Sequence, residues 1–277
     1  MAFQKKWIRR LSQIKDVLPA IYANLVSPAL LNQSIVETRA TCDRCLRSRD
    51  QRFEYLYKKD LKCCTFFPFL PNYAVGGILA ENLPGAEIIK KQISKREMAL
   101  PLGLFPTPEY QYEFFNKGTK DFGRRPDLLC PYYDKKQNNC QIWQYRGVVC
   151  TTFYCTSSYG QQGKFYWSEL SDYLSFVEMA IAEDNLVCLD FSPREISDQL
   201  QFLNMKQWTE KQKTQRHLSK DEYKGYWNGY DSEIDFYLKC FELVKNQDRK
   251  YFQDMLGTTG QQLEKMVIKA GQQLGEL

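Results

Sequence analysis

The chain has 277 residues, enough to bury a sizeable hydrophobic core in one large domain or two smaller ones. Its formal net charge of +5 is mild, which disfavours a dedicated nucleic-acid-binding protein. No run of about 18 apolar residues occurs, so no transmembrane span is expected. Charged residues interrupt the N-terminal segment where a signal peptide needs its apolar stretch, and we therefore expect a cytoplasmic protein.

The first predicted element is an amphipathic helix over residues 3–18. Apolar residues recur at steps of three or four from Phe3 to Leu18, and Pro19 ends the pattern. We expect this helix to dock on its own domain. Because the segment is also basic, peripheral contact with a membrane surface is the alternative.

Eight of the ten cysteines lie between residues 42 and 155, and the first four form the upstream half of this group. Cys42 and Cys45 have the C-x2-C spacing, in which a tight turn directs two thiolates at one ion, although redox pairs share it. Cys63 and Cys64 are adjacent. Since successive side chains of an extended strand point to opposite faces, we expect these two to serve different ions, or one of them to be a core residue.

The downstream half comprises Cys130, Cys140, Cys150 and Cys155, with aromatic residues between them. Thiols stay reduced in the cytoplasm, so the cysteines are predicted to be ligands or buried residues rather than disulfides. The chain has one histidine, which favours coordination by cysteine alone. Zinc, iron–sulfur clusters and copper(I) all accept such ligands. The flanking rings favour an iron–sulfur cluster, 4Fe–4S in particular, with zinc as the alternative.

Helical patterns dominate the remainder of the chain. A helix is expected near residues 86–98, and the polar residues 156–163 indicate a connector. Five further helices are predicted through residues 170–181, 192–208, from 219, through 234–244 and through 263–274. We therefore predict a mainly α protein with an irregular, loop-rich, cysteine-ligated metal core. Residues 1–165 would form the cysteine-rich domain, and residues 166–277 an α-helical subdomain.

The order of the cysteine motifs between residues 42 and 155 resembles the YkgJ-like family of CxxCxxCC domains. That family is described as chelating zinc or iron, and it includes the flagellin lysine-N-methylases. The motifs are C-x2-C at 42–45, CCTFFP at 63–68, CPYY at 130–133, CQIWQYR at 140–146 and VCTTF at 149–153. The resemblance implies eight metal ligands: Cys42, Cys45, Cys63, Cys64, Cys130, Cys140, Cys150 and Cys155.

This chain departs from the family pattern at three points. The two parts of its first motif, Cys45 and Cys63, are separated by 17 residues where the family's motif is compact. Gly147 follows Arg146 where the family has proline, and Thr151 stands where the family has a basic residue. These departures bear on how the ligands divide between sites.

Four further residues were assigned from their surroundings in the sequence. Arg146 is a candidate cofactor-binding residue, whose guanidinium could donate to a sulfur or to a backbone carbonyl and so tune the site, with a surface salt bridge as the alternative. Cys188 and Cys240 fall in helical patterns and are predicted to be inert and buried. His217 follows a Lys- and Gln-rich segment and is predicted to be a surface residue.

These features favour a metal-binding protein with one or two cysteine-ligated sites and a redox, electron-transfer or sensing role. The expected partner is another protein or a redox partner. A structural zinc protein whose helical half binds a partner is the first alternative. A protein methyltransferase of the lysine-N-methylase type is the second, and it rests on the resemblance alone. Whether the protein is an enzyme, an oxidoreductase or a methyltransferase, stays open, and no catalytic residue is assigned.

Overall fold

The computed structural model describes residues 14–35, 45–48, 56–154, 157–204, 206 and 208–275. The described part is mainly helical, which confirms the predicted α class. Most of the predicted N-terminal helix, residues 3–13, lies outside the described residues. No helix in the described part is both long enough and apolar enough to cross a bilayer.

Helices begin where the sequence supplies caps. The hydroxyls of Ser27, Thr107, Ser192 and Ser219 each accept a hydrogen bond from the amide three residues later, as N-cap residues do. Two complete capping boxes confirm the predicted starts after Ser192 and Ser219. The α-helices are α1 (Tyr22–Leu25), α2 (Pro28–Leu31), α3 (Asn72–Ala80), α4 (Ala86–Ser94), α5 (Pro108–Glu113), α6 (Val148–Thr152), α7 (Gly160–Cys188), α8 (Pro193–Leu200), α9 (Glu210–Lys213), α10 (Lys220–Tyr226), α11 (Glu233–Asn246) and α12 (Arg249–Gly275).

Three helices differ from their predicted bounds. α8 ends at Leu200, where the sequence pattern predicted a helix through residue 208. α7 already begins at Gly160, so part of the expected connector is helical. α12 begins at Arg249 and is interrupted at Gly257, whose positive φ of 58° breaks the helical path. Short 3-10 turns cover Ile14–Asp16, Leu46–Ser48, Thr119–Asp121, Pro126–Leu128, Trp143–Tyr145 and Gln201–Leu203, and a π-helical turn covers Phe114–Gly118.

Short antiparallel strands frame the cysteine-bearing segments. β1 (Leu70–Pro71), β3 (Gly103–Leu104) and β2 (Ala99–Leu100) form a three-stranded sheet in that order. Gly103 has a φ of +151°, and a Cβ there would lie 2.1 Å from the carbonyl oxygen of Leu70, so this pairing requires glycine. β4 (Tyr133–Asp134) pairs with β5 (Asn139–Cys140) as a hairpin.

The chain divides into two compact units, each built from separate stretches of sequence. Unit 1 is drawn from Met1–Thr41, Arg146–Ile181 and Gln247–Leu277, and unit 2 from Cys42–Tyr145 and Ala182–Asn246. We expected two consecutive domains, 1–165 and 166–277. The division into these two domains stays a prediction.

Unit 2 is built around the close packing of α3 on α11. A Cβ at Gly76 would lie 1.9 Å from the carbonyl oxygen of Tyr237, so the two helix backbones nearly touch. Gly77 faces the ring of Tyr145, which an added Cβ would approach to 2.3 Å. Tyr145 also donates its hydroxyl to Glu81 at 2.5 Å. α3 therefore holds the segment that follows Cys140 in a fixed position.

A fully satisfied buried amide fixes the start of α3. Asn72 is inaccessible to solvent, and its amide nitrogen donates to the carbonyl oxygens of Pro101 at 3.2 Å and Ala182 at 3.0 Å. Its carbonyl oxygen accepts from the Tyr73 amide at 2.8 Å and from the Asn185 side chain at 3.0 Å. One side chain thus joins α3, the sheet and the C-terminal part of α7 within unit 2.

Replacing Asn72 by alanine is expected to destabilise the protein by about 3 kcal/mol or more, because each buried polar group left without a partner costs about 1–3 kcal/mol. Urea unfolding at neutral pH measures this. Asn116→Ala is the matched control, since the exposed Asn116 side chain donates only to Tyr112 within its own helix. A loss below about 1 kcal/mol in the Asn72 variant would contradict this reading of the network.

Unit 1 buries the apolar face of α7 that the sequence predicted. Leu170, Leu174, Val177 and Ile181 are each at most 1% exposed, which confirms the periodic pattern. Glu264 of α12 accepts hydrogen bonds from the Ser27 amide at 2.8 Å and from the Tyr173 hydroxyl at 3.0 Å. These contacts tie α2, α7 and α12 together within the unit.

Candidate metal centre

The structure places six of the eight predicted ligand cysteines. Cys42 and Cys155 lie outside the described residues. Unit 2 contains Cys45, Cys63, Cys64, Cys130 and Cys140, whereas Cys150 belongs to unit 1. The centre is therefore described within unit 2, and Cys150 by itself.

Cys63 and Cys64 occupy a turn rather than an extended segment. The turn spans residues 59–65, and Lys62 within it has a positive φ of 54°. The two neighbouring thiols interact directly, and this contact, followed by burial, raises the pKa of Cys63 well above its ordinary value. The premise of extended backbone does not hold for this turn. The expectation that the two cysteines serve different ions, or that one of them is a core residue, stays a prediction.

A backbone hydrogen bond joins the upstream pair to the downstream half. The amide of Cys130 donates to the carbonyl oxygen of Cys64 at 2.8 Å. The two cysteines are far apart in sequence, and this bond makes them neighbours in space. Part of the upstream half and part of the downstream half therefore lie side by side in unit 2.

Cys140 is brought to the same place by the β4–β5 hairpin. It pairs with Tyr133, whose amide donates to the Cys130 carbonyl oxygen at 3.1 Å. The buried phenol of Tyr132 lies close enough to the thiols of Cys130 and Cys140 for their charges to act on it. Burial first, and then the charges of Cys130 and Cys140, raise its pKa well above the ordinary value. Tyr132 donates its hydroxyl to Gln92 at 2.7 Å.

Hydrogen bonds around Thr65 hold the cysteine turn in shape. Thr65 is fully buried, and its hydroxyl accepts from the amide of Gly123 at 2.7 Å. Tyr110 donates its hydroxyl to the Thr65 carbonyl at 2.8 Å, and it accepts from the Phe67 amide at 2.7 Å. These hydrogen bonds therefore hold the turn in place without a bound ligand.

Cys45 lies on a short segment that attaches to the same region. The amide and hydroxyl of Ser48 both donate to the Cys45 carbonyl, at 3.2 and 2.9 Å. The Tyr57 amide donates to the Arg47 carbonyl at 2.8 Å. The amide of the next residue, Lys58, donates to the carbonyl oxygen of Gly123, and the amide of Gly123 is the one that donates to Thr65. Cys45 itself is half-buried.

The donor atoms suit a soft metal, although they are not arranged around one point. Thiolates are the ligands that zinc and iron–sulfur clusters accept four at a time. Within the described residues, however, no three Cys, His, Asp or Glu side chains converge as a metal-binding group. The backbone brings Cys63, Cys64, Cys130 and Cys140 together, and side-chain rotation would have to complete a site. The predicted cysteine-ligated core therefore stays a proposal.

Arg146 and Cys150 both belong to unit 1, four residues apart in the sequence. The buried guanidinium of Arg146 donates to the carbonyl of Val17 at 3.1 Å, which is the backbone contact considered from the sequence. Its own carbonyl accepts from the Thr151 hydroxyl at 3.2 Å, at the start of α6. Cys150 is exposed on α6. Any tuning of a cofactor by Arg146 stays a prediction.

The remaining assignments divide between surface and core. His217 is exposed as expected, with its Nδ1 3.1 Å from the Lys95 carbonyl oxygen. Cys240 is buried, and burial raises the pKa of its thiol. Cys188 is exposed, which corrects its predicted burial: it is the last residue of α7 and lies off the buried stripe, to which the neighbouring Leu186 and Leu189 belong. The aromatic residues from Tyr223 to Tyr237 pack edge to face in the unit 2 core.

The sequence reasoning missed one residue of this region, Lys62. It is only 4% exposed and lies directly before the cysteine pair. The one feature of the sequence that singles out Lys62 is its position directly before Cys63. Comparisons with protein-family models, curated proteins and solved structures gave no match. The resemblance to the YkgJ-like family therefore stays an expectation drawn from the motifs.

Proposed function

We propose that the protein binds a metal ion or an iron–sulfur cluster through cysteine thiolates of unit 2. The observation that supports this most is the hydrogen bond from the Cys130 amide to the Cys64 carbonyl. It joins a turn that carries two interacting thiols to a hairpin segment that carries two more. Cys63, Cys64, Cys130 and Cys140 are the first ligand set in this proposal.

The resemblance to the YkgJ-like family implies four further ligands, Cys42, Cys45, Cys150 and Cys155.

An iron–sulfur cluster, with 4Fe–4S coordination, is the occupant we favour. Buried aromatic residues follow these cysteines closely in the sequence: Phe67, Tyr132 and Tyr133 are buried, and the rings of Phe67 and Tyr132 lie 5.7 Å apart. Rings of this kind exclude solvent from a cluster, and this influences its reduction potential. A bound cluster would supply one-electron redox chemistry, in electron transfer or in sensing. Reduced thiols fit the cytoplasmic location proposed from the sequence.

Metal analysis of anaerobically purified protein tests this function. We expect brown protein with broad visible absorption and with iron and acid-labile sulfide in stoichiometric amounts. Colourless protein containing zinc would remove the iron–sulfur assignment and keep the metal site. Protein that retains neither metal, even after reconstitution, would refute the proposal.

A structural zinc site is the second candidate, because the segments around the cysteines have little regular structure. The turn of residues 59–65 and the two-residue strands β4 and β5 offer few backbone hydrogen bonds of their own. Metal binding contributes folding free energy in such sites. A chelator is then expected to lower the thermal unfolding midpoint by ten degrees or more, on the order of 2–4 kcal/mol for a chain of this size. An unchanged midpoint in metal-free protein would contradict a structural role.

A further inference from the structure

Lys62 is a buried cation at the candidate site. It is 4% exposed, and its ammonium donates to the carbonyl oxygen of Asn138 at 3.1 Å. The same nitrogen lies 5.5 Å from the centre of the Tyr133 ring. The Tyr133 hydroxyl in turn hydrogen-bonds the Asn138 side chain at 3.2 Å. The ammonium is therefore enclosed by the β4–β5 hairpin.

The Lys62 side chain spans the two cysteine-bearing segments. Its backbone belongs to the turn that continues into Cys63 and Cys64. Its ammonium reaches the hairpin in which Tyr133 pairs with Cys140. One positive charge thus extends from the turn of Cys63 and Cys64 to the hairpin that contains Cys140.

A buried charge is costly unless an opposite charge or several hydrogen bonds compensate for it. Among the described residues, Lys62 contacts a carbonyl oxygen and a ring, and it has no carboxylate within ion-pair distance. The two residues that follow Lys62 in the turn, Cys63 and Cys64, carry thiols that can become anionic. Four thiolates on a divalent zinc ion leave a net negative charge, as four thiolates do on an oxidised 4Fe–4S cluster.

We propose that Lys62 is the counter-ion of the unit 2 cysteine site, and that the occupant of this site is a net anionic metal–thiolate unit. This inference rests on the proposed function. It makes Lys62 a positioning and charge-compensating residue rather than a ligand. It also disfavours a neutral occupant, such as a divalent ion held by only two thiolates. The competing explanation is that Lys62 only clamps the hairpin through its bond to Asn138.

Three substitutions of Lys62 in the full chain separate charge from clamping. Lys62→Gln keeps a hydrogen-bond donor and removes the charge, and Lys62→Met keeps the aliphatic stem and removes both. Lys62→Arg keeps the charge. Lys59→Gln is the matched control, because it makes the same change of net charge at an exposed position of the same turn.

Zinc affinity is measured by competition with a chromophoric chelator. We expect Lys62→Gln and Lys62→Met to weaken zinc binding by about 10–100-fold, the usual effect of losing a group outside the ligand shell. Lys62→Arg should stay within about threefold of wild type, and Lys59→Gln should match wild type. In cluster-loaded protein, loss of the charge should also shift the midpoint reduction potential to a more negative value, which a clamp alone would not do.

If Lys62→Gln keeps the zinc affinity and the reduction potential of wild type, Lys62 is not the counter-ion. The proposed metal site would be unaffected by that result. Equal losses in Lys62→Arg and Lys62→Gln would also overturn it, in favour of a geometric clamp. If Lys62→Gln fails to fold, as judged by its thermal unfolding, Lys62→Met and Lys62→Arg give the same comparison. Wild-type protein that binds neither zinc nor a cluster refutes the proposed function itself, which the other outcomes do not.

Discussion

Replacing Cys130 by serine is expected to weaken metal binding by at least about a hundredfold. Structural zinc sites with four ligands have apparent binding free energies of about 10–16 kcal/mol, so one ligand contributes about 3 kcal/mol on average. Cys130 is mostly buried, and its backbone is anchored on Cys64. Zinc competition, or the iron and sulfide content after anaerobic reconstitution, measures the loss.

Cys188→Ser is the control for this experiment. It makes the same chemical change at an exposed position near the end of α7, and it should leave metal content at the wild-type level. Cys140→Ser tests the interleaving of the two halves. It should reduce the metal held by Cys63 and Cys64 as strongly as Cys130→Ser does. If Cys140→Ser retains full metal content while Cys63→Ser loses it, the turn and the hairpin do not share a site.

The helices could be predicted because their signals are local. The capping boxes at Ser192 and Ser219 and the apolar steps of α7 depend on neighbours within one or two turns. The same holds for the predicted helix near residues 86–98, observed as Ala86–Ser94. Local capping and the periodic burial of apolar residues determine where these helices form.

The candidate site could be predicted only as a set of residue types. The cysteines were evident from the sequence, but their pairing depends on a positive φ at Lys62 and on a hydrogen bond between distant backbones. The four partners of Asn72 likewise come from separate elements of unit 2. Such contacts are set by tertiary packing, and no short sequence pattern encodes them.

Unit 1 contains a buried carboxyl group that makes stability depend on pH. Glu178 on α7 is buried, and its oxygens accept hydrogen bonds from the Tyr22 hydroxyl and from the Val148 amide. Burial raises its pKa from 4.5 to about 7, against the opposing effects of both hydrogen bonds. No charged partner among the described residues compensates for the ionised form.

The sign of the effect follows from proton binding. Below pH 4.5 both the folded and the unfolded states hold the proton, and Glu178 contributes no pH dependence. As the pH rises towards 7, the unfolded state releases its proton first, which favours unfolding. Above a pH of about 7 the cost is complete, at about 3 kcal/mol. The protein is therefore expected to lose stability from this group between these two pH values.

Glu178→Gln should remove that loss. The amide can keep both contacts, with its oxygen accepting from Val148 and its nitrogen donating to the Tyr22 hydroxyl, as a protonated carboxyl group would. Urea unfolding from pH 4 to pH 8 should show the variant gaining up to about 3 kcal/mol relative to wild type as the pH rises. Glu169→Gln, at a half-exposed position of the same helix, is the control and should show no such gain. A difference between wild type and Glu178→Gln that stays constant over this range would mean that Glu178 has the same pKa in the folded and unfolded states, and burial would then not govern its protonation.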